Sequence, residues 1–255
     1  MRHAYLIMAH NEFGILQRLV RMLDDADNDI YVHFDRKVKR LPGIGTQKSR
    51  LFVLGERECV NWGTVSQIRT EFRLLEGASE NGPYDFYHII SGTHLPLKPL
   101  SELNTFYASH KGQEIMRFWD KDEGTADFKL RRYHFFLKVH FLWRLSLKVQ
   151  KMTGIRHLRK ESFHKTDNWM SITEAACRYL LDNKDDILRK YRYTFCGDEY
   201  FIASELIKKG GFDIYDCPDL LYVTIEKANA SLISLSSYDS LSETPFLWGR
   251  KFTEQ

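Results

Sequence analysis

Two adjacent acids are the residues of this sequence best suited to acid–base chemistry: Asp198 and Glu199, in the segment TFCGDEYFIASEL at 194–206. They follow the small-residue turn Cys196-Gly197 and open an apolar pattern that predicts a helix. At the start of a helix, Asp198 is placed to cap backbone N–H groups, and the helix dipole favours Glu199 in the first turn. A carboxylate shielded by aromatic neighbours also has a raised pKa and can accept a proton, so Glu199 is a candidate general base.

Three apolar segments in the first half of the chain predict β-strands, and helical apolar spacing lies between them at 13–25 and 65–77. Strands that alternate with helices predict an α/β fold with a mainly parallel central sheet. Ligands bind at the carboxyl ends of such strands, so the polar residues there are candidate contacts, although any strand must end in something polar. The segments and their closing residues are 3–11 with His10 and Asn11, 28–37 with Asp35 and Arg36, and 84–98 with Ser91 and Gly92.

Two adjacent cations, Arg250 and Lys251, lie near the C-terminus. Together with one candidate base and a strand-end ligand site, they fit sugar transfer from a nucleotide donor. An inverting transfer needs one base for the acceptor hydroxyl and positive charge at the departing diphosphate, from a divalent metal or from Arg and Lys. Metal-dependent sugar transferases carry an Asp-x-Asp pair after a central strand, and HFDRK and SGTHLP both fall short of it. We therefore expect no metal and no other cofactor, with the two cations at the diphosphate. The alternative is a solvated basic tail.

The middle of the chain, 128–165, is basic and rich in aromatic residues. It carries eleven Lys and Arg residues against one acid, Glu161, and its composition predicts a helical region. Such a segment fits an anionic membrane surface, a groove for an anionic or sugar ligand, stacking on a nucleic acid, or a solvated helix whose apolar side packs on the core. We favour peripheral membrane contact and expect no nucleic-acid partner.

The length fits one large domain or two small ones. We expect a single domain over 1–255, with 1–98 as its nucleotide-binding half and 99–255 as its acceptor and catalytic half. The net charge of +3 does not indicate a polyanion binder. The four cysteines form no C-x-x-C pair and are interpreted as free thiols. The sequence shows neither a signal peptide nor an apolar run of about 18 residues. We expect a cytoplasmic protein, peripheral at the inner face of the cell membrane; the alternative is a catalytic fragment of a secreted or lumenal protein.

Six segments, in chain order and across nearly the whole chain, match one known family; they are AYLIMAHNEFGILQRLVRMLD, DIYVHFDRK, VNWGTVSQIRTEFRLL, YDFYHIISGTHLPLK, TFCGDEYF and FLWGRKF. The chain resembles the core-2/I-branching β-1,6-N-acetylglucosaminyltransferases, the Branch family (glycosyltransferase family 14), and in its compact length the bacterial members. The resemblance implies a GT-A type (Rossmann-like) fold, in which we expect the basic segment 128–165 as a helical insertion. It also implies inverting, metal-independent transfer of a sugar from a UDP-sugar, with GlcNAc as the first candidate sugar. The acceptor would be a hydroxyl of a glycan or lipid-linked glycan in the synthesis of a surface polysaccharide or glycoconjugate.

The resemblance also implies roles for individual residues. Glu199 would be the catalytic base, and Lys251, with Arg250 beside it, would hold the diphosphate. The implied nucleotide pocket, with Asp35 on the uridine, comprises Ala9, His10, Asn11, Asp35, Trp62 and Ser66. The implied pocket for the donor and acceptor sugars comprises Ser91, Gly92, His94, Trp169 and Asp198.

The sequence departs from the family pattern in two places. The family reads Ser-Gly-x-Asp-x-Pro-Leu where this chain has SGTHLPL, so His94 replaces the Asp and leaves the donor-sugar contacts open. The second diphosphate cation, usually upstream of the last motif, has only Lys227 as a candidate. UDP-xylose is therefore an alternative donor. A degenerate module that binds a nucleotide or glycan without chemistry is an alternative to an enzyme, although the intact GDEYF argues against it.

Overall fold

The computed structural model describes residues 1–119, 123–226 and 229–254. Its strands are β1 (His3–Ala9), β2 (Asn28–Phe34), β3 (Arg50–Val53), β4 (Phe86–Ser91), β5 (Leu95–Pro96), β6 (Gln113–Met116), β7 (Met170–Ile172), β8 (Asp213–Asp216), β9 (Leu221–Tyr222), β10 (Ile225–Glu226), β11 (Asn229–Ala230), β12 (Ile233–Ser234), β13 (Trp248–Gly249) and β14 (Phe252–Thr253). Its helices are α1 (Phe13–Met22), α2 (Val65–Ser79), α3 (Leu100–Ser109), α4 (Glu123–Leu130), α5 (His140–Thr153), α6 (Glu174–Asp182), α7 (Lys184–Tyr191), α8 (Phe201–Lys209) and α9 (Tyr238–Ser242).

Seven strands form one sheet in the order β3-β2-β1-β4-β7-β6-β8, which includes strands from both 1–98 and 99–255. The neighbouring strands are parallel except for β7, which runs antiparallel to β4 and β6. The predicted α/β fold with a mainly parallel sheet is confirmed. Ala9 is in register with Phe34, and Met8 with Ser91, so β1, β2 and β4 end at the same edge and the loops that follow them meet there.

The central strands are buried on both faces, which explains their nearly continuous apolar sequences. Successive side chains of β1 point to opposite faces of the sheet. Leu6 packs in one core with residues of α2, α6 and α8, whereas Tyr5 and Ile7 pack in a second core with residues of α1 and α3. The two cores fix the sheet edge from both sides.

The predicted helices at 13–25 and 65–77 are observed as α1 and α2. Helix α6 begins after a cap, where the Thr173 hydroxyl accepts a hydrogen bond from the backbone N–H of Ala176. The basic segment 128–165 is helical only at the end of α4 and in α5. The sequence patterns do not predict β6, α3 or α7. Within the described ranges, no helix is long and apolar enough to cross a membrane.

The two adjacent acids precede a helix and do not begin one. Gly197–Glu199 forms a single 3-10 turn, and α8 starts only at Phe201. No side chain caps either element, so the predictions that Asp198 caps the helix and that Glu199 lies in its first turn are wrong. The reason is local backbone conformation: Tyr200, at φ −134°, is not helical, and therefore α8 does not extend back to the acids.

Candidate active site

A cleft opens at the sheet edge where β1, β2 and β4 end. It consists of a strand-end cavity of about 240 Å³ and a larger cavity of about 580 Å³ that contains Glu199, here called the Glu199 cavity. Because six residues line both cavities, the two are continuous parts of one cleft. These six are His10, Trp62, Gln67, Trp169, Arg250 and Lys251.

The cleft brings together most of the predicted site residues. The strand-end cavity is lined by Ala9, His10, Asn11, Asp35, Trp62, Ser91, Gly92, Trp169, Arg250 and Lys251, among others. Asp198 and Glu199 line the Glu199 cavity. Three predicted contacts among the described residues, Arg36, Ser66 and His94, line neither cavity.

Backbone hydrogen bonds join the strand-end loops at the floor of the cleft. The N–H of Asp35 donates to the carbonyl oxygen of Ala9 at 3.0 Å, and that of Gly92 donates to Met8 at 2.8 Å. Gly92 approaches β1 so closely that an added Cβ would lie 3.1 Å from the Cβ of Ala9. The Asp35 carboxylate is buried, accepts a hydrogen bond from the N–H of Lys37 at 2.9 Å, and lies 3.3 Å from its ammonium. These contacts hold the acid at the cavity wall.

Trp62 stands at the mouth of the cleft, where 68% of its surface is exposed. Its ring packs edge-on against Phe195 at a centroid distance of 5.1 Å. Because an indole ring that lines a cavity and faces solvent is a stacking surface, Trp62 can cover a base or a sugar. His10 also lines the cleft; burial lowers its pKa, and the nearby Lys251 lowers it further. His10 is therefore neutral near pH 7.

Glu199 is a partly exposed acid between two cations. Its Oε2 lies 2.5 Å from the ammonium of Lys129 and 4.0 Å from that of Lys165, and 27% of its side chain is exposed. Its backbone carbonyl accepts a hydrogen bond from the N–H of Thr166 at 2.9 Å. Both cations face Oε2, so Oε1 is the oxygen left for a ligand in the Glu199 cavity. Both also belong to the basic segment 128–165, which thus supplies part of the cleft.

Asp198 joins two parts of the chain inside the cleft wall. Its Oδ2 accepts hydrogen bonds from the side-chain amides of Gln67, at 2.6 Å, and Asn168. Its Oδ1 has no hydrogen-bond partner in the described part of the chain. Burial, and next the charge of Glu199, raise the pKa of Asp198 to about 7. Of the two adjacent acids, Asp198 is therefore the one whose buried surroundings favour the protonated form.

The C-terminal cations reach the cleft because β13 pairs with both β5 and β9. Gly249 allows this path, since an added Cβ would lie 2.8 Å from the ring of Phe252. The guanidinium of Arg250 lies 4.9 Å above the ring of Trp169, and its Nε has no hydrogen-bond partner in the described residues. Burial lowers the pKa of Arg250 to about 10, so the group stays cationic near pH 7. A half-buried cation without an ion pair in the described ranges is suited to an anionic ligand.

A protein-family model described as "Core-2/I-Branching enzyme" matches residues 3–214. The chain belongs to this family. Among solved structures, mouse xyloside xylosyltransferase 1 in its apo form is similar over 97% of this chain and 96% of that chain, with 9% identity and a TM-score of 0.41. No curated protein matches the chain.

Membership of the core-2/I-branching family makes the protein a glycosyltransferase of GT-A-like α/β fold, which takes a nucleotide-sugar donor and a glycan acceptor. The residue that departs from the family pattern, His94, is fully buried next to the cleft. Its Nδ1 accepts a hydrogen bond from the N–H of Ser91 at 3.1 Å, and its ring packs edge-on against Trp169 at 5.0 Å. Burial, and next the charge of Arg250, lower its pKa well below the ordinary value, so it is a neutral packing residue.

Ser66, which also lines neither cavity, lies in the first turn of α2. Its hydroxyl accepts a hydrogen bond from the N–H of Asn61 at 2.8 Å and contacts the hydroxyl of Thr64, the helix N-cap. These bonds shape the loop that carries Trp62. In this branching-family chain Ser66 therefore positions the loop and does not face the cleft.

Sequence reasoning missed several residues that line the cleft, namely His33, Lys37, Gln67, Trp119, Lys129, Lys165 and Asn168. Lys129 and Lys165 belong to the basic segment, but nothing in their spacing distinguishes them from its other cations. Lys227, the candidate second diphosphate cation, lies outside the described residues. In the part of the chain that is described, no group of three or more His, Cys, Asp and Glu residues is placed to hold a metal ion.

Proposed function

We propose that the protein is an inverting, metal-independent glycosyltransferase that moves GlcNAc from UDP-GlcNAc to a glycan hydroxyl. The acceptor is a glycan or lipid-linked glycan of a surface polysaccharide or glycoconjugate, and the linkage is β-1,6 as in the enzymes that the chain resembles. The observation that carries the proposal is the placement of Glu199 in the same cleft as Arg250 and Lys251. One cleft thus offers both a base and the positive charge that a departing diphosphate needs.

In the proposed reaction, the acceptor hydroxyl attacks the anomeric carbon of the donor sugar while a Glu199 oxygen takes its proton. A bond forms between the acceptor oxygen and the anomeric carbon, and the bond from that carbon to the β-phosphate oxygen breaks. UDP leaves with the bonding electrons, and Arg250 and Lys251 stabilise the charge it gains. Lys129 holds Oε2 of Glu199, which leaves Oε1 for the proton.

The strand-end cavity is the proposed nucleotide site. Asp35, after the end of β2, lines this cavity and would accept a hydrogen bond from the uracil N3–H, and Trp62 would stack on the base or the sugar. The arrangement agrees with the general rule that ligands of parallel sheets bind beyond the carboxyl ends of the strands. The donor sugar would then lie between Trp169 and Glu199, because the shared lining connects the two cavities.

Titration of the protein with UDP and with UDP-GlcNAc, UDP-xylose and other UDP-sugars, by calorimetry with and without EDTA, tests this proposal. Binding that survives EDTA and prefers UDP-GlcNAc is the expected result. Binding that EDTA abolishes would contradict metal independence, and a preference for UDP-xylose would assign xylosyl transfer. Tight UDP binding with no UDP-sugar consumed in the presence of glycan acceptors would point instead to a degenerate binding module.

We also propose that the enzyme works in the cytoplasm, at the inner face of the cell membrane, where a lipid-linked acceptor is present. Separation of cytosolic and membrane fractions by centrifugation tests this location. We expect the protein in the membrane fraction at low salt and its release at high salt, because exposed charges are screened by salt.

A further inference from the structure

Helix α5 packs on the protein through one face only. That inner face comprises Trp143, Ser146, Leu147 and Gln150. Gln150 is buried, and its side-chain amide exchanges two hydrogen bonds, each of 2.8 Å, with the backbone of Tyr133. The Trp143 indole donates a hydrogen bond to His134 at 3.1 Å. These contacts fix the rotation of α5 about its own axis.

The opposite, outer face of α5 is apolar and in contact with solvent. It comprises Phe141, Leu142, Leu145, Val149 and Met152. Phe141 and Met152 are 73% and 77% exposed. Because successive helix residues are rotated by about 100°, these five side chains fall within one stripe on the side away from the protein. The outer face of a helix in a soluble protein is normally polar, and a contiguous exposed apolar stripe indicates a surface that binds something.

Three cations, Arg144, Lys148 and Lys151, lie along one edge of the outer face, and α5 contains no acid. All three are exposed, and none forms an ion pair within the described residues. An apolar stripe bordered by free cations is the pattern of helices that lie in the interface of an anionic membrane, with the apolar side chains among the acyl chains and the cations at the headgroups.

We propose that the outer face of α5 docks the protein onto an anionic lipid surface. The charge pattern selects this occupant over a second copy of the chain, because two copies paired through α5 would bring six cations together without acids on α5 to neutralise them. An anionic bilayer satisfies both parts of the surface, since it offers an apolar interior and negative headgroups.

The helix that carries the docking face is joined to the cleft, through its inner face, by packed aromatic rings. The ring of Trp143, on the inner face of α5, lies 6.2 Å from that of Phe195, which lies 5.1 Å from that of Trp62 at the mouth of the cleft. Docking through α5 would therefore hold the lipid against the helix that packs, through these rings, on Trp62. This deepens the proposed transferase function, on which this step rests, because it favours an acceptor glycan that is itself attached to a membrane lipid.

The test is co-sedimentation of the protein with vesicles of phosphatidylcholine alone and with vesicles of equal parts phosphatidylcholine and phosphatidylglycerol. We expect wild-type protein to pellet with the anionic vesicles only. F141S/M152S removes the two most exposed apolar side chains, and K148E/K151E reverses two cations; each should lower the partition coefficient about tenfold or more. The matched control L41S/K48E, which changes an exposed apolar residue and an exposed cation outside α5, should bind like wild type.

Wild-type protein that stays in the supernatant with anionic vesicles overturns the proposal, and so does binding that both double variants retain. A dimer in solution that F141S/M152S dissociates would assign the face to a second copy and also overturn it. Calorimetry with UDP separates the two proposals. Vesicle binding without UDP binding would contradict the proposed transferase function and support the docking surface. UDP binding without vesicle binding would contradict the docking surface and support the transferase function.

Discussion

The ammonium of Lys129 lies 2.5 Å from Oε2 of Glu199 and joins the basic segment 128–165 to the acid of the GDEYF motif. The basic segment therefore has two distinct parts. Lys129 and Lys165 face into the cleft, whereas α5 turns its apolar face and its cations to solvent. The first part takes part in the proposed transfer reaction, and the second in the proposed binding to a membrane. Substitutions in the first part should therefore change catalysis, and substitutions in the second should change lipid binding.

Glu199→Gln should abolish transfer and leave UDP binding intact. The amide keeps the size of the side chain but cannot take the acceptor proton, so we expect kcat to fall about 10²- to 10⁴-fold. UDP titration and a transfer assay with the preferred UDP-sugar measure the two quantities. Glu76→Gln, which removes an ion-paired acid outside the cleft, is the matched control and should keep both. Retained turnover in Glu199→Gln would exclude Glu199 as the base.

Lys129→Gln should lower kcat about tenfold to a hundredfold without changing the Kd for UDP. The ion pair holds the carboxylate in one orientation, and a small displacement of a catalytic group has an effect of this size. Lys129 does not line the strand-end cavity, so nucleotide binding should persist. Lys184→Gln removes the other half of the Lys184–Glu76 pair and is the control. An unchanged kcat would show that the pair has no part in catalysis.

Arg250→Gln should weaken UDP binding about tenfold to a hundredfold and leave uridine binding unchanged. Hydrogen bonds to charged groups contribute about 1.5–3 kcal/mol, and only UDP carries the diphosphate. The free energy of unfolding should not fall, because the variant removes a half-buried cation whose Nε has no hydrogen-bond partner in the described residues. Calorimetry with both ligands and urea unfolding check these points, with the exposed Arg189→Gln as control. Equal losses for UDP and uridine would argue against a diphosphate contact.

Asp198→Asn should flatten the dependence of stability on pH between about pH 4 and pH 7. Burial raises the pKa of Asp198 from 3.8 to about 7, so in this range the folded state holds a proton that the unfolded chain has released. The contribution of Asp198 to the free energy of unfolding therefore falls as pH rises, by at most about 1.4 kcal/mol per pH unit. Above the pKa of the folded state this contribution no longer changes with pH. Urea midpoints at several pH values measure the slope, and Asp186→Asn is the exposed control. Identical slopes for wild type and Asp198→Asn would contradict the burial of this acid.

Gly249→Ala should destabilise the protein and weaken UDP binding together. The added Cβ would lie 2.8 Å from the Phe252 ring, and overpacking of this kind costs about 1–3 kcal/mol. Because Gly249 precedes Arg250, the shift should also displace the guanidinium. Gly43→Ala, where an added Cβ meets nothing within 4 Å, is the control. A Gly249→Ala protein that is as stable as Gly43→Ala and binds UDP normally would show that the close approach is not needed.

Periodic patterns in the sequence determined much of the fold. The apolar runs and helical spacings of 1–98 predict β1, α1, β2, α2 and β4, because burial on one or two faces imposes a repeat that a short window of sequence reveals. The strand-end residues could be identified for the same reason, since parallel strands that pair in register end together. Residue type and motif alone singled out Glu199, Arg250 and Lys251, which the structure brings into one cleft; their roles stay predictions.

Tertiary structure alone decided which distant residues meet. The partners of Asp198 are Gln67 and Asn168, 131 and 30 residues away in the chain, and no local pattern encodes those hydrogen bonds. The same holds for the pairing of Lys129 with Glu199. The sequence also left open which side of α5 packs on the protein, because periodicity shows that a helix has an apolar face but not what covers it. The hydrogen bonds of Trp143 and Gln150 show that their side of α5 packs on the protein. The side chains of Phe141 and Met152 are therefore left exposed to solvent.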